Sequence, residues 1–151
     1  MNRKNMLEFL TMESFDADVS FSMTKKEMID FLQEKDIPFG MPTEMQIVVK
    51  SKILALDIDF YIDFQFKGEK LTALTMSPDM ALEGKALHSR YNVIQKALEN
   101  ELGHSHNFLL TITNLLAPDS RLIRWHKNGI VIEHYLLNRF GMEEIINIEL
   151  Q

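Results

Sequence analysis

Asp57, Asp59 and Asp63, with Tyr61 between them, form the densest group of chemically capable side chains in the 151-residue chain. Alternate residues of a strand share one face about 7 Å apart, so a strand here would carry a row of carboxylates. Aspartate is disfavoured in strands, and three within seven residues call for a reason. Such a row could receive a basic partner. It could supply oxygen ligands to a cation, although one strand cannot converge on an ion without help from a neighbour. Or it could be a solvated face that keeps a sheet soluble and discourages edge pairing. These readings stay open at the level of sequence.

The histidines offer less. His104-Ser105-His106 follows Gly103, and an H-x-H pair can chelate zinc or copper, but no third ligand is indicated by spacing. A cationic side chain after a helix end is also what the helix dipole favours. His126 and His134 fall on opposite faces of one hairpin and cannot act together, and His134 lies on the apolar face. Glu143-Glu144 is an acid pair with no visible apolar pocket to shift a proton affinity. Ser105 lacks a Gly-x-Ser-x-Gly elbow, and six scattered glycines make no phosphate loop. With no cysteine, thiolate catalysis and cysteine-ligated metals are excluded. The expectation is no catalytic residue, no cofactor and no metal site, with His104 and His106 as the residual metal alternative.

The elements that position these groups follow from periodicity. Phe15 to Met23 alternate as a half-buried strand. Thr24 and Glu27 have capping-box spacing before a short helix over 25–35, stopped by Pro38. From Leu54 to Phe66 every even position is apolar, which predicts one long strand, bent or bulged for its length. Ile47-Val48-Val49 predicts a short strand before it, and Gly68 a turn to a partner strand over 71–76. Ser77-Pro78 reads as a helix start. Leu87, Tyr91, Ile94, Leu98 and Leu102 make the apolar stripe of a long helix over 86–102, ending at Gly103. Asn128-Gly129 turns a hairpin of 121–126 with 130–137, setting Trp125 opposite Ile132 and Arg124 opposite Glu133. Glu144, Ile146, Ile148 and Leu150 suggest a last strand. Met23, Met28 and Met76 fall on the apolar pattern, whereas Met41, Met45 and Met80 lie in or beside loops, where methionine makes adaptable contacts.

The result is an α+β domain spanning 1–151: an antiparallel sheet of about 6–8 strands with one long and one short helix. The helix starts Lys25 and Ala86, and the turn glycines Gly68 and Gly129, both repeat at an offset of 61, which suggests two loosely repeated αβ units, 15–76 and 84–150. Residues 21–32, "FSMTKKEMIDFL", followed by strands around "FKGEKL" at 66–71, resemble one unit of the β-lactamase-inhibitor-protein-like fold, where the unit occurs in tandem. The chain departs from that pattern at "EKDIP", 34–38, which lacks the glycine usual before the helix-ending proline. The resemblance implies a binding role and transfers no functional residue.

An apolar fraction of 46% and a charged fraction of 25% are ordinary for a globular domain. A net charge of -6 disfavours nucleic acid as a partner. No window approaches the ~20 apolar residues of a membrane span, and Glu8 and Glu13 interrupt any secretory apolar run. The expectation is a cytoplasmic protein-binding module engaging a partner, basic if charged, through Asp57, Asp59, Tyr61 and Asp63. An antitoxin or immunity protein is one form by analogy. The competing reading is an enzyme or small-ligand carrier with a cavity between the long helix and the sheet. Self-association stays open.

Overall fold

The structure is a computed structural model in which residues 21–105, 116, 120–138 and 142–150 are described. The strands are β1 (Phe39–Gly40), β2 (Gln46–Lys52), β3 (Asp59–Lys67), β4 (Lys70–Pro78), β5 (Arg121–Lys127), β6 (Ile130–Asn138) and β7 (Met142–Leu150). They form an antiparallel sheet in the order β1-β2-β3-β4-β7-β6-β5. Two helices, α1 (Lys25–Glu34) and α2 (Gly84–Leu102), lie on one face. The period of two puts Phe60, Ile62, Phe64 and Phe66 of β3 on that face with Ile47 and Val49 of β2. They pack against Met28 and Leu32 of α1 and Ile94 and Leu98 of α2. The α+β class and the antiparallel sheet agree with the sequence, and the fold contains no helix long and apolar enough to cross a membrane among the described residues.

Local chemistry explains the start of α1 and the two hairpin turns. The Thr24 hydroxyl accepts from Glu27 N, and Glu27 Oε2 accepts from Thr24 N at 2.7 Å, so the capping box at the start of α1 is closed in both directions. Gly68 and Gly129, both with positive φ, turn the β3–β4 and β5–β6 hairpins. The second hairpin has the expected register, Trp125 against Ile132 and Arg124 against Glu133. The bulge expected in the long strand lies between Gln65 and Phe66.

Three expectations need correction. The apolar period of 54–66 is not one strand: β2 ends at Lys52, the chain turns, and β3 begins at Asp59. Leu54, Leu56 and Ile58 keep the period because each packs on the core from the connection itself. Ser77-Pro78 does not start a helix. Both continue β4, pairing with Tyr61 and Phe60, and Pro78 is tolerated as the strand's last residue; α2 begins at Gly84, and its cap residue Glu83 makes no side-chain capping bond. Of the strand expected over 15–23, residues 15–20 lie outside the described residues, while Phe21 and Ser22 form a turn with Phe21 buried.

The β2–β3 connection carries strain. Leu54 and Ala55 have φ of 57° and 53° in a turn closed by Leu56 N donating to Ile53 O at 3.0 Å. Two positive φ values are what a type I′ turn demands, and asparagine and glycine are its usual residues. A left-handed residue with a Cβ costs roughly 1–2 kcal/mol. Ala55 is exposed, so Ala55→Gly is expected to raise stability by about 0.5–1 kcal/mol, the relief of strain being partly offset by glycine's greater unfolded-state entropy. Denaturant titration checks this, and a loss of stability would show that the alanine methyl makes a contact outweighing the strain.

Candidate functional site

The acidic residues do not form one row. Asp57 lies before β3 and its side chain is 93% exposed; it pairs with Lys52, whose ammonium holds the carboxyl below the usual range. Asp59 opens β3, with its carboxylate 3.7 Å from Lys50 Nζ. Lys50 donates to Asp79 at 2.5 Å, and Tyr61 is the second group acting on this carboxylate. These two groups, Lys50 first, hold the Asp79 carboxyl below its ordinary value, while Asp79 pushes both Lys50 and Tyr61 up. Asp63 sits farther along β3, where its Oδ2 accepts from Gln46 at 2.7 Å and Gln65 at 3.3 Å. Its Oδ1 is buried and accepts no hydrogen bond. The expected stripe therefore separates into an ion-paired group at the start of β3 and one aspartate held in a ladder of amides. Tyr61, 45% exposed, stands between them.

Asp57, Asp59 and Asp79 face a cleft of about 420 Å³ beside α2. Ile58, Leu82 and Val93 supply apolar lining, with Met80 at 66% exposure and Arg90 from the helix. The chain leaving β4 and the chain entering β3 are brought side by side by the hairpin register, which sets Phe60 against Pro78. The carboxylates and the apolar wall thus come from segments the sheet holds in fixed relation. Met41 and Met45 are also exposed, but neither lines this cleft.

Behind Arg90 lies a buried polar chain. Arg90 Nε donates to Glu144 Oε2 at 2.8 Å, and a second guanidinium nitrogen, Nη1, donates to the Met80 carbonyl. Glu144 Oε1 is 3.2 Å from His134 Nε2, and His134 Nδ1 is 2.8 Å from Gln95 Oε1. The Tyr91 ring stacks on the imidazole with centroids 4.1 Å apart. The His134 side chain is 0% exposed, Glu144 1% and Arg90 11%, so of these three charged or titratable groups Arg90 alone reaches solvent. Burial also pushes the Tyr91 hydroxyl well above its ordinary value.

Burial holds the His134 imidazole below its ordinary proton affinity, with Glu144 pulling the other way. A depressed folded value means that the unfolded chain binds a proton where the folded chain does not. As pH falls below about 6.5, stability is therefore expected to fall, with this residue contributing up to about 1.4 kcal/mol per pH unit until His134 itself titrates. Urea midpoints measured between roughly pH 7 and pH 5.5 check this, and His134→Gln should flatten the slope. An unchanged slope in that variant would assign the effect elsewhere.

The remaining candidates separate. His134 is buried and His126 exposed, on opposite faces of the hairpin as its register requires. His104 is 80% exposed near Glu99, at 3.6 Å, and His106 lies outside the described residues. The Ser105 hydroxyl donates to the Arg124 carbonyl at 2.7 Å and serves the chain leaving α2. Among the described residues no three histidines or carboxylates gather as a metal requires. The expectation of an acid pair without an apolar setting fails at Glu144, which is buried against the helix while Glu143 is exposed. The sequence carried a signal for it, since Glu144 occupies the apolar phase shared by Ile146 and Ile148. Arg90 had a similar signal, lying beside Tyr91 between Leu87 and Ile94. Comparison of the chain with family models, curated proteins and solved structures gives no match.

Proposed function

We propose that this protein is a non-catalytic binding module, and that its partner is a protein segment presenting an apolar side chain flanked by basic ones. The observation that carries this reading is the apolar cleft of Ile58, Met80, Leu82 and Val93 with Asp57, Asp59 and Asp79 around it. An aliphatic side chain would bury in the cleft, and its basic neighbours would exchange with Lys50 and Lys52 for the carboxylates. Exposed pairs of this kind exchange at little cost. Tyr61 would extend the contact along the open face of β3. Asp63, held by two amides, is the least available of the acids. Catalysis is disfavoured because the lysines beside Asp57 and Asp79 hold both carboxyls below their ordinary proton affinity, while the histidine–glutamate pair is sealed from the cleft.

A second reading, a small-ligand carrier using the same cleft, is favoured by its volume, which falls within the range of ligand pockets. An antitoxin-like or immunity-like role remains the analogy for the first reading. The strand order supports reading the chain as two related units, because β2-β3-β4 and β5-β6-β7 approach the central β4–β7 pair in the same sequence from opposite edges.

The test uses short synthetic peptides in which leucine or methionine is flanked by lysine or by glutamate. Lysine-flanked peptides should bind better. Asp57→Asn with Asp59→Asn should leave the melting temperature unchanged and weaken that binding roughly three- to tenfold at low salt, with the loss shrinking as salt rises. Equal binding of both peptide types, or a variant indistinguishable from wild type at low salt, would sink the charged-partner reading. Binding that ignores charge but is blocked by Val93→Trp would favour the ligand carrier.

A further inference from the structure

Arg90 belongs both to the buried chain and to the wall of the cleft. His134 meets an oxygen at each ring nitrogen: Glu144 Oε1 at Nε2 and Gln95 Oε1 at Nδ1. The orientation of Gln95 is set from its other end, where Nε2 donates to Glu99 Oε1 at 2.9 Å. Two oxygens satisfy a doubly protonated imidazolium. A neutral ring keeps one N–H for Glu144 and needs a donor at Nδ1, which Gln95 supplies by a half turn of its amide, giving up Glu99. Two states in which both ring nitrogens are satisfied therefore differ by one proton and one amide rotation.

The surrounding charges determine what the proton does. From α2 the chain meets Arg90, Tyr91, whose ring stacks on the imidazole and whose hydroxyl donates to the His134 carbonyl at 3.5 Å, and, through Gln95, Glu99. From β7 it meets Glu144, and from β5 the Arg121 guanidinium lies 5.7 Å from the Tyr91 ring centre. The strand neighbours directly opposite His134, Ile123 and Ile146, are apolar. An imidazolium would thus share one buried carboxylate with Arg90, and of the two cations Arg90 alone has a path to water, through the cleft.

We infer that the Gln95–His134–Glu144–Arg90 chain is a proton-operated switch on the cleft: a second ring proton on His134 draws Glu144 toward the imidazolium and releases Arg90 into the cleft, adding positive charge to its wall. The movement of Arg90 stands by itself; its consequence, that a basic partner is held near neutral pH and let go in acid, rests on the function proposed above. Linkage makes the effect reciprocal, so a basic peptide in the cleft should make His134 harder to protonate.

The decisive measurement uses the protein alone. The ring nitrogens of His134 and the Nε–H of Arg90 are followed by NMR from roughly pH 8 to pH 4.5. The Arg90 signal should shift with the same midpoint as the His134 ring. The shift should vanish in His134→Gln, whose amide still offers Glu144 an N–H but takes up no proton. An Arg90 signal unmoved through the His134 titration overturns the proposal. So does a ring that stays neutral until the fold is lost, or wild-type unfolding in step with His134 protonation. The wild-type titration decides without the variant. In a second arm, the lysine-flanked peptide should bind several-fold more weakly below the His134 midpoint than above it, and this difference should disappear in His134→Gln. Failure of the peptide to bind at neutral pH removes the binding reading, while the Arg90 measurement still decides the switch.

Discussion

Replacing Trp125 with alanine is expected to cost about 3–5 kcal/mol, the usual range for deleting a large buried aromatic, and to lower the melting temperature by roughly 6–20 °C. Trp125 is 6% exposed on the helix-facing side of β5, opposite Ile132, in the core that contains Ile94 and Leu98. It does not share a cluster with the whole apolar stripe of α2: Leu87 and Tyr91 pack instead with Leu136. Its indole Nε1 donates to the Gly103 carbonyl at 2.8 Å, so the same side chain fills space and satisfies an acceptor where α2 ends. Trp125→Phe keeps much of the apolar area but leaves that carbonyl without its donor, and should cost about 1–3 kcal/mol. A loss of under about 1 kcal/mol for the alanine variant in a denaturant titration would show that the indole does not close this end of the core.

The segments most legible in the sequence are those in which one local rule is sufficient. The capping box of Thr24 and Glu27, the Asn128-Gly129 turn and the alternation of β6 and β7 each specify a structure without distant partners. Errors arose where a local pattern had two causes. Leu54, Leu56 and Ile58 are apolar because they cover the core from a turn, yet they keep the phase of β3 and so imitate its continuation. Ser77-Pro78 has the chemistry of a helix start, but pairing with Tyr61 and Phe60 extends the strand through it. The site was less legible for a related reason. Asp57 and Asp59 are close in sequence, but the lysines opposing them come from β2, and Asp79 from the chain just after β4. The buried chain is spread over α2, β6 and β7, and a histidine and a glutamate in apolar phases read singly as exceptions until the sheet register places β6 beside β7.

Glu144→Ala is expected to be comparably destabilising, by about 3–5 kcal/mol, because removing one member of a buried ion pair leaves the others uncompensated. The carboxylate is the sole group here that bonds both Arg90 Nε and His134 Nε2 among the described residues. Without it, a guanidinium with 11% of its side chain exposed retains the Met80 carbonyl, and a fully buried imidazole loses its partner at Nε2. Glu144→Gln should be milder, about 1–2 kcal/mol, since the amide oxygen can still accept from Arg90 and its nitrogen can donate to the other tautomer of His134. The informative comparison is Arg90→Met combined with Glu144→Leu. Buried ion pairs are often replaced by apolar side chains of similar volume without loss, so this double variant should be more stable than Glu144→Ala despite carrying more changes. If it matches the wild type, the charges are not retained for stability, and their place beside the cleft becomes the reason to keep them. A loss of less than about 1 kcal/mol for Glu144→Ala would instead mean that Arg90 turns freely into the cleft at neutral pH, and that Glu144 does not hold it there.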